Sequence, residues 1–570
     1  IKNLKVMAEL YSKRPVKVQK KSGFDKSFQN LFTSKVGTLT PILVDEVIPN
    51  TTVNLKAAIT AALPPLASDT FMRCKLKYAA FFVPTRILVA PGAYERWLTG
   101  NDEWQTQGNE ASGTSTTSSK IVMPQIKLKN NHVRPGSLAD YLGVKVTTAT
   151  SDETGDYTVS ALPFLAYHKI YNDWFRNSLV QKDIFAKASG TSYYNAAGSM
   201  TYVPNNSNEA AYTLDPAEGG NASWNTSTRF MDGVQAYELR QANFDVDMFT
   251  AASPQAQNGE AQSVSFDITD PDSGDVLDTG SFTISALRAA NSVQQWLERN
   301  NIAGNRMVDY VKAQYGANLS DYIAQRPVLL GSGQFDVYSK GIYQNDNNVG
   351  ATSASNTQSI ATNNPFKAVG ARYGSAYADG SDILIKGFTA AEPGYIFVIC
   401  WLSPKVTYST GIDPMLLRYV GTTKQSDMAN PILQNVGNEP IKCGQIMDTP
   451  INRNIVFGYQ DRYFAWKDKI DEVHGLLRDG ESLQSFALQR TFNGTDAVQL
   501  SSSFLKIPTN YLDQVSAVTG DVSNYGYWAD TYFDYKVSMP LAKYSIPSLQ
   551  DPAYEHGDTV VVNNRGTQLA

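Results

Sequence analysis

The chain is poor in cysteine, histidine and charge, and each shortage removes a class of function. Three cysteines occur, Cys74, Cys400 and Cys443. An odd number with no regular spacing makes neither a disulfide framework nor a zinc motif, and reads as buried thiols in a reducing compartment. The four histidines, His132, His168, His474 and His556, are scattered, with no pair at metal-binding spacing. His168 falls on the polar side of an expected helix, where it reads as a surface or interface histidine. No G-x-S-x-G, C-x-x-C, H-E-x-x-H or phosphate-binding loop is found. "GSGQFD" (331–336) starts like a dinucleotide fingerprint and then fails at Asp336. The longest apolar run, "YIFVICWL" (395–402), is far short of the ~20 residues of a membrane helix, and the opening residues do not read as a secretory leader. Charged residues make up 18% of the chain, below the usual quarter.

Aromatic and turn-forming residues are plentiful instead: 31 Tyr, 24 Phe and 40 Gly in 570 residues. This composition suits a loop-rich β protein with broad contact surfaces. "TTVNLKAAITAAL" (51–63) places Val53, Leu55, Ala57 and Ile59 on one face of a strand, and "MRCKLKYAAFFVP" (72–84) ends in an apolar run stopped by Pro84. "GYIFVICWLSP" (394–404) predicts a strand buried on both faces. Two stretches carry helical spacing, 162–180 through Phe164, Tyr167, Tyr171, Trp174 and Phe175, and 283–300 through Ile284, Leu287, Ala290, Val293 and Leu297. Between these elements lie Gly/Ser/Asn-rich segments at about 105–120, 187–229 and 341–364, which read as surface insertions.

Charge is unevenly distributed. Residues 1–26 hold eight Lys and Arg against two acids, a net +6, which leaves −11 for the rest of a chain whose total is −5. A basic arm on a mildly acidic body points to a polyanion contact. The adjacent acids Asp45 and Glu46 in "PILVDEVIP" cannot bracket one substrate bond, because neighbours on a strand point to opposite faces. They read as strand-edge or interface carboxylates. "DPDSGDVLDTGS" (270–281) opens like a calcium loop, but it has Asp275 at the required glycine and Ser281 at the bidentate glutamate, so it reads as a polar hairpin turn. The aromatic stretch "NYGYWADTYFDY" (524–535) has the alternation of a strand, although its rings could also stack on unpaired bases.

Seven stretches occur in the order found in one family. They are "FDKSFQNLFTSKVGTLTPILVDEVIPNTTVNLK", "FFVPTRIL", "LPFLAYHKIYNDWFRN", "ALRAANSVQQWLERN", "QRPVLLGSG", "GYQDRYFAWKDKIDEVHGLLR" and "MPLAKYSIPSL". Together they resemble the major capsid protein of microviruses, in the gokushovirus-like branch of small single-stranded DNA phages, over about residues 24–552. The resemblance implies a mainly β chain, an eight-stranded viral jelly-roll β-sandwich with long insertion loops and a few amphipathic helices. It implies residues 1–23 as a basic arm and 24–570 as one capsid domain, with about sixty copies closing into a shell. No enzymatic activity, cofactor or metal is expected. Lys13, Arg14, Lys17, Lys20 and Lys21 are the expected contacts to the genome. At +6 per copy, about sixty copies supply about 360 charges, too few for a genome, so a small basic packaging protein or bound cations is expected, beside a pilot protein. Tyr171, Trp174, Trp296, Tyr459, Arg462, Tyr463 and Trp466 are expected in the core or at subunit contacts, with the core favoured for Trp174 and Trp296. The insertion at 187–229, then that at 341–364, is the expected contact with a host receptor, and the expected location is the virion, assembled in bacterial cytoplasm without membrane insertion. Two rival readings are a secreted carbohydrate-binding β-sandwich and a non-viral single-stranded DNA-binding protein.

Overall fold

Alternation decides the strands. From Thr52 to Ala62 every second side chain is buried, with Val53, Leu55, Ala57, Ile59 and Ala61 inward and Asn54, Lys56 and Thr60 outward. In the computed structural model, nine strands of this kind make the body. They are β1 (Ser22–Asp25), β2 (Phe28–Ser34), β3 (Thr40–Val47), β4 (Thr52–Ala62), β5 (Cys74–Pro84), β6 (Val328–Gln344), β7 (Arg372–Thr389), β8 (Gly394–Pro404) and β9 (Tyr527–Met539). The structure describes residues 21–67, 70–88, 135–145, 157–181, 238–257, 284–303, 306–344, 372–417, 437–448, 452–516 and 526–543, with a few short pieces between them.

All pairings among these strands are antiparallel. β1 and β2 lie end to end along β9, and the order runs on through β4, β7, β6, β5 and β8 to β3. The long strands β6 and β7 divide the curled sheet into two leaves. The first part of β6 pairs with β5 through Val328↔Phe82 to Val337↔Cys74, and its end pairs with β7 from Tyr338↔Tyr377 onward. One leaf is therefore β1/β2–β9–β4–β7 and the other β3–β8–β5–β6; with β1 and β2 sharing one position, the nine strands fill the eight places of the jelly roll that the resemblance implies. Phe82 of one leaf meets Phe388 of the other with ring centroids 5.2 Å apart, and Leu55, Leu76, Ile396, Val398 and Phe533 fill the space between the leaves. Each such side chain contributes roughly 1.5–3 kcal/mol when removed from water.

The free edges of the curled sheet, β2 and β3, are joined by side chains. Asn30 Nδ2 donates to the Ile42 carbonyl at 2.7 Å, and the Ser34 and Thr40 hydroxyls share a hydrogen bond. A strand edge with unpaired backbone groups is a site of adventitious pairing, and this seam shields it.

Within the second leaf β5 and β8 are buried on both sides, which explains why they read as continuous apolar runs. Helix α1 (Leu162–Ile170) and the π-helical turn Tyr171–Phe175 lie across its outer face. Phe81 packs on Trp174 at 5.7 Å, and Trp401 on Phe175 at 5.0 Å. The expected single helix over 162–180 thus changes pitch at Tyr171, and extended backbone at Arg176 ends it. His168 is fully buried, contrary to its expected surface place: α1 is itself covered by the segment around Arg240, whose Nε lies 3.3 Å from His168 Nδ1.

The second expected helix is α2 (Ile284–Ala303), followed by α3 (Met307–Tyr315). Arg306 between them donates to the carbonyls of Asn172, Asp173 and Arg176 at 2.6–2.8 Å, tying this helical pair to the π turn. The insertions expected from composition fall mainly outside the described residues. Within them, 341–344 continue β6, Gln105 sits in the short strand Glu103–Gln105, and Ser223–Asn225 pairs with Phe230–Asp232. The acid-rich 270–281 segment holds Val276–Leu277, paired with Ile268–Thr269 as a hairpin.

Candidate functional site

The basic arm meets the body at β1. Lys13, Arg14, Lys17 and Lys20 lie outside the described residues. Lys21 is exposed, and its ammonium donates to Thr52 Oγ1 at 3.2 Å. Behind it, Ser22–Asp25 pairs with Lys536–Met539 of β9, and the Lys26 amide donates to the Tyr535 carbonyl at 2.8 Å. The arm is therefore rooted at the edge of the first leaf.

Asp45 completes this root. Lys26 Nζ donates to Asp45 at 2.6 Å and stands 5.4 Å from the centre of the Tyr535 ring, whose hydroxyl also donates to Asp45 at 2.7 Å. Burial first, and then the Asp45 charge and hydrogen bond, push the Tyr535 phenol well above the usual tyrosine range. Asp45 thus fixes β3 against β9 and the arm, while Glu46 faces outward and exposed. Asp25 at the end of β1 accepts the Ser27 hydroxyl and amide, which lowers its carboxyl pKa. Of the two adjacent carboxylates, Asp45 alone acts as a structural fastening, and the pair point to opposite faces of β3.

Nothing resembling a reaction centre forms elsewhere among the described residues. No cluster of three or more His, Cys, Asp and Glu suited to a metal is found there. The three cysteines are free and buried, and burial raises the Cys400 thiol to about 12. A cavity of about 700 Å³ is lined by Asn452, Arg490, Phe492, Asp496, Gln499, Ser501 and Phe504, without histidine or cysteine. The Arg490 guanidinium packs 4.2 Å from the Phe504 ring and 4.6 Å from that of Phe244, and donates to the Phe504 carbonyl at 2.7 Å.

The expected aromatic and Arg anchors divide between interior and surface. Tyr171 is buried under Arg240 at 5.6 Å. Trp174 is half-buried, stacked by Arg326 at 4.4 Å, and donates through Nε1 to the Pro327 carbonyl at 2.9 Å. Trp296, expected in the core, is 45% exposed on α2, because Leu297 and Asn301 take the inward side of that helix. Tyr459 is half-buried and exchanges backbone hydrogen bonds with Ser253 at 2.8 Å. Arg462 lies 5.3 Å from the Tyr463 ring, and Tyr463 adopts a left-handed φ of 64°. Trp466 is 53% exposed.

Two apolar surfaces emerge around the exposed members. One joins Trp466 to Met415, Leu416 and Ile432, all exposed; Lys469–Asp413 at 2.9 Å and the Asn430 amide on the Tyr463 hydroxyl at 3.1 Å hold their segments together. The other lies on the outward side of α2 at Val293 and Trp296, with Met307 and Tyr315 exposed on α3 after it. Sequence reading missed Met415, Leu416 and Ile432, whose only signal is an apolar residue beside a proline in "DPMLL" and "NPIL". Exposed apolar patches of this kind mark protein–protein contacts.

Comparison with known proteins gives these surfaces a setting. A family model described as "Capsid protein (F protein)" matches residues 12–549. The chain is 24% identical to capsid protein VP1 of Chlamydia phage 1, over 96% of this chain and 98% of that one. It is 26% identical to capsid protein VP1 of Bdellovibrio phage phiMH2K over 93% and 95%, and 23% identical to that of Spiroplasma virus 4 over 90% and 91%.

Proposed function

The chain belongs to the phage capsid (F protein) family, and we propose that about sixty copies of it close into an icosahedral shell around a circular single-stranded DNA genome. It is a capsid protein and a component of the virion; its copies assemble with one another. In a closed shell each subunit presents different patches to successive neighbours, and obligate contacts of this type are large and apolar at their centres. The observation that carries the reading is the pair of exposed apolar surfaces, around Trp466 and along α2–α3, on a complete jelly roll.

The arm residues Lys13, Arg14, Lys17, Lys20 and Lys21 contact genome phosphates without reading sequence. A small basic packaging protein supplies the remaining countercharge, a pilot protein accompanies it, and assembly takes place in the bacterial cytoplasm. The insertion around 187–229 meets a receptor on the host surface. Negative-stain microscopy with light scattering on purified protein tests the central claim. Uniform round shells are expected; a monomer or small oligomer that persists at high concentration and across salt refutes unaided assembly.

A further inference from the structure

The two leaves of the jelly roll are dressed differently. α1 and the π turn cover the outer side of β5 and β8 at the centre of the second leaf, whereas no such layer lies on the outer side of β2–β9–β4–β7, where Leu31, Trp528, Tyr532 and Ile383 are exposed. Strand alternation sends Tyr527, Phe533 and Tyr535 of the aromatic stretch inward and leaves Trp528 and Tyr532 outward, 47% and 53% exposed. Four residues apart on one strand, Trp528 and Tyr532 have backbone positions about 13 Å from each other. Trp528 has Ala62 beside it on β4, and Tyr532 has Ala58. These β4 neighbours are short; on β2 Thr33 stands beside Trp528, and Gln29 beside Tyr532 turns to Asp530. Leu31 on β2 and Ile383 on β7, both largely exposed, extend the apolar surface on either side.

The charge on this face restricts its occupant. Lys21, Lys56, Lys386 and Lys536 stand against Asp25, Asp379, Asp530 and Asp534, four against four, so the face has no excess of positive charge to hold phosphates. Its carboxylates are engaged locally: Asp530 accepts from Gln29 at 2.8 and 2.9 Å, Asp379 from the Tyr338 hydroxyl, Asp534 pairs with Lys536 at 3.0 Å, and Asp25 accepts from Ser27. The arm, which is rich in Lys and Arg, joins the body at Lys21, on the edge of this same leaf.

We propose that this open sheet face is a base-stacking platform for single-stranded DNA, in which Trp528 and Tyr532 each stack an unpaired base while the arm takes the phosphates. The proposal rests on the genome-enclosing reading above. It divides the work by chemistry. Stacking on aromatics tolerates any sequence and little affected by salt, whereas phosphate contacts release counterions and weaken steeply as salt rises.

The test measures binding of the full-length protein to oligo-dT and to an abasic deoxyribose-phosphate oligomer of equal length, across a salt series. Trp528→Ala with Tyr532→Ala is expected to weaken oligo-dT binding about tenfold or more per ring, with the salt slope and abasic binding unchanged. Trp528→Phe with Tyr532→Phe restores most of the loss. Replacing Lys13, Lys17, Lys20 and Lys21 by alanine weakens both ligands and flattens the slope. Equal wild-type affinity for the two oligomers overturns the platform and leaves the arm's role standing; binding to neither removes the DNA reading itself. Retained oligo-dT affinity with loss of shell formation in the aromatic variant identifies the face as a contact between copies and also overturns the proposal. Photocrosslinking of wild-type protein to oligonucleotides containing 5-iododeoxyuridine, mapped by mass spectrometry, needs no variant. Adducts at Trp528 or Tyr532 are expected, and their absence under conditions that label the arm counts against the platform.

Discussion

A single carboxylate, Asp45, holds together three parts of the chain far apart in sequence: Lys26 at the root of the arm, Tyr535 near the C-terminal end of the last strand, and its own strand β3. Its neighbour Glu46 makes no comparable link and faces outward. Asp45→Asn keeps the shape and an acceptor for Tyr535 but removes the charge beside Lys26, so it should destabilise the subunit by about 1–2 kcal/mol. Glu46→Gln should stay within about 0.5 kcal/mol of wild type. Urea unfolding of dissociated subunits checks both, and equal effects at the two positions would contradict the fastening described. The sequence predicted the opposite orientation of the two acids from strand geometry alone. The partner of Asp45 was not legible, because Lys26 and Tyr535 come together only through the pairing of β1 with β9. His168 shows the same limit: helical spacing identifies its helix, but not that a second layer buries it.

At the scale of elements, the glycines of "GSG" replace a failed nucleotide motif with a packing role. A Cβ at Gly331 would lie 2.1 Å from the Leu384 carbonyl oxygen of β7, a backbone atom that cannot swing away. β6 carries a bulge at this point, between Leu329 and Gly331, where the two leaves come close. Gly331→Ala is therefore expected to cost more than about 2 kcal/mol through forced backbone displacement. Soluble yield and thermal midpoint report it, and an unchanged midpoint would mean that the leaves are not in contact there. Individual strands were legible because alternation is local: 51–63, 72–84 and 394–404 match β4, β5 and β8 within a residue or two. The start of β7 and the end of β6 were not, since Gly and Ser there resemble loop composition, and extended pairing with each other is what makes them strands.

Across the whole molecule, tyrosines buried in different layers carry phenol pKa values pushed up chiefly by burial: Tyr167 in α1, Tyr408 after β8, and Tyr527 and Tyr535 in β9. A raised folded-state pKa means that the unfolded chain releases these protons first. Their contribution to stability is complete below the ordinary tyrosine range near pH 10 and is lost as pH rises above it. In an alkaline titration, phenolate absorbance from this group should appear only together with loss of the β-sheet circular dichroism signal. Smooth ionisation of every tyrosine with the sheet intact would show that they reach water. Fold class and family were legible from ordered motifs along the chain. The apolar assembly surfaces were largely not, because exposure is a property of packing, and Trp296 and Trp174 look alike until the helices carrying them are placed.

The position of β9 has a bearing on synthesis. The strand lies between β1/β2 and β4, so strands made early wait for one made several hundred residues later. Until Tyr527–Met539 leaves the ribosome, β2 and β4 lack the strand that joins them, and pairings of such long sequence separation form slowly. A nascent chain therefore cannot present a finished subunit to its neighbours. Translation itself delays the first inter-subunit contact until β9 has been made, which keeps chains that lack it out of the shell.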